Sequence, residues 1–405
     1  MPDGINMGDT AFMILTTAMV LFMTPGLAFF YGGLARSRSV ISLMMQSFIS
    51  MGIVTMVWIF GGFGLAFGRD HGGVIGSITD FFALGNVGVE PHAMYGSTIP
   101  FIMFFAFQLM FCVITVPLMT GAFVGRMNMK GYIVFLIFWT LLIYVPVCHW
   151  IWGNGFLAKW GFVDFAGGTV IHTTAGFGVL ASLLVLGKRI MKKGANTQPN
   201  NLMATAIGTG ILWFGWFGFN SGGSLAANMV AATSFVNTLI GLSTAMVVWM
   251  IYAKLRRGKI LFTDVLTGSV AGLATITPAS GYIKPASAII VGIVAGIICN
   301  LGVEFARKLD LDDALDVWGV HGVGGFTGTI LIGFLADESV NKVTASPHQL
   351  WIQIAGVVLV AAYAFMITYL LLKILTKVMT VELSPEQQLE GLDKTLLQEQ
   401  EFIKN

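Results

Sequence analysis

The stretch 164-DFAGGTVIHTTAGFGVLASLLVL-186 holds one titratable side chain after its first residue, the imidazole of His172. The rest is Gly, Ala, Val, Ile, Leu, Phe, Ser and Thr. Such a run is long enough to cross a bilayer, which takes about 20 residues of helix. His172 then lies well inside the membrane, where a polar ring is costly and marks a pathway more often than not. A second stretch, 316-DVWGVHGVGGFTGTILIGFLA-336, repeats the arrangement with His321. Each histidine has a glycine four residues on, Gly176 and Gly325, so a small residue shares its helix face. Two helices built alike are expected to bring the two rings together at one central site.

Composition agrees with a membrane protein. Of 405 residues 56% are hydrophobic and 10% charged, with mean hydropathy +0.82, where an ordinary soluble domain carries about 25% charged residues. Cys112, Cys148 and Cys299 all sit in apolar runs and form neither a disulfide framework nor a CxxC metal site. A net charge of +2 is no footprint for nucleic acid, and none is expected as a partner. The N-terminus MPDGINMGD lacks a basic n-region, so the first apolar run is expected to be retained.

Apolar runs occur at about 10–33, 40–67, 98–123, 131–152, 168–187, 200–222, 225–253, 262–280, 284–305, 316–336 and 349–376. Eleven spans place the termini on opposite sides. Of the 22 Lys and Arg, sixteen fall at the turns on one side, among them Arg36, Arg38, Arg126, Lys188, Arg189, Lys192, Lys193 and Arg307. Only Arg69, Lys159, Lys284 and Lys342 fall on the other. The positive-inside rule then puts the N-terminus outside and the C-terminus in the cytoplasm. The spans divide as five, five and one, with His172 on the fifth and His321 on the tenth. Odd halves enter from opposite sides, which predicts an all-α fold with an inverted 5+5 repeat, a last helix and a site near the midplane. The membrane domain is expected over 1–380 and a polar cytoplasmic tail over 381–405.

Aromatic residues gather near the outer ends of several spans: Phe107 and Phe111 with Gln108 between them, Trp150 and Trp152, and Trp213, Trp216, Phe217 and Phe219. They read either as an interfacial belt or as a cage whose π faces attract a cation. A cage followed by two histidines in an apolar lumen suits a small, protonatable cation. The spans carry no ring of carboxylates, which disfavours a charged sodium or divalent site. HExxH and Walker A patterns are absent, His172 and His321 are the histidines of the spans proper, and no span histidine has a neighbouring carboxylate in sequence. No cofactor, metal or enzymatic activity is expected.

The chain closely resembles the ammonium transporter (Amt/Rh) family, Amt branch, over nearly its whole length. The residues carrying the resemblance are LFMTPGLAFFYGGL at 21–34, FQLMFCVIT at 107–115, DFAGGTVIHTTAG at 164–176, WFGWFGFNSGGS at 213–224, ITPASGY at 276–282, DVWGVHGVGG at 316–325 and GLD at 391–393. The resemblance implies a homotrimer with one pore per subunit. It implies an outer ammonium site at Trp152 and Phe111, a stacked gate of Phe111 and Phe219, Trp216 lining the lumen, and His172 and His321 bonded ring to ring. Asp164 would be a buried acid shaping the outer site without touching the ion. A PII-type signal protein would bind the cytoplasmic face, and the tail would couple the subunits through GLD, with Asp393 bonding to an inner loop.

Two departures stand out. The family usually has Ser three residues after Asn220, where this chain has Gly223, followed by Ser224. A shift of one residue on a helix turns a side chain by about 100°. On sequence alone, Gly223→Ser is expected to strengthen apparent ammonium affinity roughly tenfold. In the tail, Leu396 to Gln398 replace acidic and histidine residues common in the family. Three functions stay open: ammonium transporter, ammonium sensor on the same scaffold, and a membrane enzyme using the histidines as metal ligands.

Overall fold

The computed structural model describes residues 4–191 and 198–396; Lys192, Lys193 and the tail from residue 397 lie outside the described residues. Among the described residues, ten helices are long and apolar enough to span a membrane: α1 (Met7–Leu34), α2 (Ser37–Phe67), α3 (Phe101–Phe123), α4 (Met129–Lys159), α5 (Gly168–Leu186), α6 (Leu202–Gly222), α7 (Met229–Arg257), then, beyond α8, α9 (Pro285–Lys308), α10 (Trp318–Leu335) and α11 (Pro347–Val378). The eighth expected span is shorter, α8 (Phe262–Ile276). A proline alone does not stop a helix here, since Pro25 and Pro117 lie inside α1 and α3. At Pro278 the missing N–H combines with packing of the ring on Gly168 at the start of α5, and the TPASGY segment turns back. The fold is thus the eleven-helix all-α architecture, with one member truncated at its C-terminal end.

Local chemistry sets many of the helix starts. Asn6, Asn128, Asn201 and Asn228 precede α1, α4, α6 and α7, and each side chain accepts a backbone N–H of the first turn. Ser346 does the same for α11. Four helices carry a π turn: Trp58–Gly62 in α2, Thr140–Tyr144 in α4, Gly168–Thr173 in α5 and Trp318–Gly322 in α10. The last two contain His172 and His321, so the matching sequence stretches also share a local distortion. π turns are rare and concentrate at functional sites.

The first helices of the two halves, α1 and α6, pack against each other along small residues. A Cβ on Gly208 would stand 2.2 Å from the Phe30 amide nitrogen, and one on Gly33 would stand 2.3 Å from Thr205 Oγ1. This is the close approach that glycine allows between membrane helices. The histidine helices cross the same way. A Cβ on Gly176 would lie 2.1 Å from Gly322 Cα, and one on Gly325 would lie 2.3 Å from the Gly168 carbonyl oxygen.

The tail folds, as α12 (Pro385–Glu390) and α13 (Leu392–Leu396), against the end of the bundle that carries Arg38, Arg126 and Arg189. Asp393 accepts hydrogen bonds from the Ile41 and Ser42 amides and from Ser42 Oγ, so it caps the start of α2. Arg38 donates to the Leu389 carbonyl and Ile190 N–H to Gln388 Oε1. Leu383 N–H donates to the carbonyl of the buried Arg126. Arg189 forks onto Asp312. Burial pushes the Asp312 carboxyl up, but Arg189 and Arg126 outweigh it and hold it at about 2.

Candidate functional site

The α5 and α10 crossing brings the two imidazoles together. His172 Nδ1 and His321 Nδ1 stand 3.2 Å apart, and both rings are almost fully buried. An Nδ1–Nδ1 contact can be a hydrogen bond only if one ring donates and the other accepts. The donor ring then has a bare Nε2, and the acceptor ring carries its proton on Nε2. Moving the shared proton exchanges those roles, so a neutral pair can take a proton at one end and release one at the other. His172 Nε2 is buried with no hydrogen-bond partner among the described residues. Trp216 stacks on His172 with centroids 5.3 Å apart, and its Nε1 donates to Thr277 Oγ1, which fixes the indole.

The rings line a narrow lumen whose other walls are Met23, Leu27, Phe30, Ile114, Leu118, Ile171, Leu212, Trp216, Phe219 and Val270. Its volume is about 10 Å³, about what one water-sized molecule needs. A bare cation in such a lumen would lose its hydration for almost nothing in return. A neutral molecule of similar size would not.

Phe111 and Phe219 pack with ring centroids 4.4 Å apart and planes tilted by 43°, not stacked flat, between the lumen and a cavity of about 240 Å³ at the end of the bundle expected to face outside, here called the outer cavity. Phe111 also meets Trp152 edge-on at 5.8 Å. The cavity is lined by Met94, Tyr95, Phe104, Phe107, Gln108, Phe111, Ile151, Trp152, Phe165, Ala166, Gly223 and Leu225. Trp152 Nε1 donates to the Asp164 carbonyl. The Asp164 carboxylate accepts four amides, from Gly167, Gly168, Thr169 and Val170, and does not line the cavity. It caps the π turn that carries His172, so one residue orients both the outer indole and the histidine helix.

Gly223 lines the cavity and Ser224 does not. The Ser224 hydroxyl donates to the Ala226 carbonyl within its own loop. A Cβ on Gly223 would stand 2.8 Å from the Phe165 carbonyl oxygen and 3.2 Å from that ring. The expectation that Gly223→Ser improves the site is therefore reversed. The added side chain meets backbone that cannot yield without shifting the segment holding Asp164 and Trp152. We expect Gly223→Ser to raise the half-saturating ammonium concentration or lower the maximal current. A lower half-saturating concentration in liposome current measurements would refute this steric reading.

The sequence reading also missed a histidine. His149 lies within α4, fully buried, with Nδ1 2.8 Å from the Ala66 carbonyl and Nε2 2.9 Å from Asp70 Oδ1. Lys159 pairs with the other Asp70 oxygen at 2.5 Å. Burial raises the Asp70 carboxyl, but Lys159 and His149 more than offset it and hold it at about 2. This triad ties the outer loop at Asp70–His71 to the end of α4, near Trp152. No spacing could have found it, because Asp70 is remote from His149 in sequence.

A membrane-spanning bundle with a narrow apolar lumen, an aromatic mouth and a buried ring pair is a transport protein for a small solute. The chain belongs to the Ammonium Transporter Family, whose model matches residues 11–402. It is 42% identical to an ammonium transporter of Aquifex aeolicus over 97% of this chain and 92% of the relative. Among solved structures it is similar to Mep2 of Saccharomyces cerevisiae, with a TM-score of 0.88 and 32% identity over 95% of this chain and 89% of the other. It is also similar to a sensor Amt protein, with a TM-score of 0.88 and 30% identity over 95% and 97%. The protein is thus a multi-pass membrane protein of the ammonium transporters.

Proposed function

We propose that the protein recruits ammonium in the outer aromatic cavity, strips its proton, and passes ammonia through the lumen beside His172 and His321. The observation that carries this reading is the Nδ1–Nδ1 contact in the wall of a lumen too apolar and narrow for a hydrated ion. The outer rings of Trp152 and Phe111 supply π faces for the cation. The Phe111–Phe219 pair separates that site from the lumen. Only an ion that can surrender a proton crosses at low cost, which gives selectivity over potassium. The histidine pair offers the released proton a separate carrier, so ammonia and proton together amount to net ammonium movement. The N-terminus faces outside and the C-terminus the cytoplasm of a cell membrane, and the protein works as a homotrimer with one pore per subunit.

Gly223 favours a second reading, an ammonium sensor with little transport, because it leaves the cavity without a hydroxyl at that position. Currents from purified protein in liposomes under an inward ammonium gradient decide between them. A saturable current absent with potassium is the expected result; binding without current would support the sensor.

The inner face invites a PII-type signal protein and coupling between subunits through the tail. The segment from Val381 to Asp393 is bonded to α2, to Arg126 and Asn128 just before α4, and to the residues after α5. Deleting everything after Val381 removes the Asp393 cap, and loss of a cap costs about 1 kcal/mol. We expect a lower maximal current with an unchanged half-saturating concentration, in liposomes without any partner. Full current in the truncated protein would refute the coupling role.

A further inference from the structure

We infer that the side-chain amide of Gln108 is the hydrogen-bond ligand of the cation in the outer cavity. The inference rests on the reading of that cavity as the ammonium site and adds the group that holds the ion there. Aromatic faces attract a cation without direction, whereas ammonium has four N–H groups to satisfy as it leaves water. Among the side chains lining the cavity, only Gln108 and Tyr95 have an oxygen, and none has a carboxylate. The Trp152 N–H is a donor and is spent on the Asp164 carbonyl. An amide oxygen is a better acceptor than a phenol and carries no hydrogen to turn away.

Gln108 is 8% exposed, and its Oε1 is buried with no partner. No hydrogen bond to either amide atom occurs among the described residues. A glutamine kept for structure would have its polar atoms paired, because a buried orphan acceptor is costly. Oε1 is the shielded atom of the amide, and a half turn about the last torsion, which breaks no protein hydrogen bond, turns it to the cavity. Gln108 also lies three residues before Phe111 on α3, so the two share a face and the amide stands one turn outward of the gate ring. A neutral ligand there holds the ion by N–H geometry and adds no fixed charge that would retain it.

The test measures ammonium current in liposomes for Gln108→Leu, Gln108→Glu and Trp152→Leu, with the melting temperature of each purified variant. We expect Gln108→Leu to raise the half-saturating ammonium concentration about tenfold or more, as loss of a hydrogen bond to a charged group does, with a smaller change in maximal current. Its melting temperature should not fall, because no protein hydrogen bond is lost. Gln108→Glu, which keeps an oxygen there, should bring the half-saturating concentration back toward or below that of the natural protein. An unchanged value in Gln108→Leu overturns the inference. So does a raised value that comes with a lower melting temperature and is not restored by Glu. If the Leu variant does not fold, Gln108→Glu carries the test alone, and a half-saturating concentration above the natural one overturns the inference. If Gln108→Leu is silent while Trp152→Leu raises the concentration, the role of Gln108 falls and the cavity reading stands. If both are silent, both fall.

Discussion

Ammonium-driven current in the His172→Ala protein is expected to fall about a hundredfold, the scale on which a positioned proton-transfer group acts, or to lose its discrimination against potassium. The reason is chemical and local. His321 Nδ1 would face an apolar void where it now has its partner at 3.2 Å, and no other described lumen-lining side chain accepts a proton. Trp216 would lose the ring it stacks on, though its bond to Thr277 would still anchor the indole. The outer cavity lies beyond the Phe111–Phe219 pair and should keep its apparent affinity. Currents from matched liposomes, with protein content and folding checked by size exclusion, test this. A variant with natural current and natural selectivity would remove the histidine pair from the mechanism.

What could be read from sequence follows from the range of the interactions involved. The spans were legible because a membrane helix must hide its backbone and present apolar side chains, a constraint written in every residue of the run. The histidines were legible for the converse reason: an imidazole in such a run has to be accounted for. The paired glycines Gly176 and Gly325 followed from helix geometry. The length of α8 was not legible, because the turn at Pro278 is fixed by packing of that segment on the start of α5, where Gly168 meets the proline ring. The crowding at Gly223 depends on a carbonyl from Phe165, and the role of His149 on a carboxylate in a distant loop. Both are tertiary facts with no local signature. The gate and the outer ring set were assigned through resemblance; composition alone left them divided between a lipid-interface belt and a cage.

The two helix crossings make a further prediction that separates architecture from proton chemistry. A methyl group is the smallest change that tests them, and Gly325→Ala adds only that. Its Cβ would lie 2.3 Å from the Gly168 carbonyl oxygen, 2.7 Å from His172 Cβ and 3.0 Å from the Thr173 amide nitrogen. Two of these are backbone atoms of the π turn carrying His172, so no side-chain rotation relieves the contact, and α5 and α10 must move apart. Overpacking of this kind costs typically 1–3 kcal/mol. A displacement of only a few tenths of an ångström would stretch the Nδ1–Nδ1 contact beyond hydrogen-bond range, since 3.2 Å is already long for one. We therefore expect a lower melting temperature and at least about a tenfold loss of current, on the view that relay by a bonded ring pair is required. Apparent affinity should change little, because the outer cavity is lined by neither Gly325 nor Gly168. If Gly325→Ala melts lower yet carries full current, the rings need not touch, and the relay must run through another carrier.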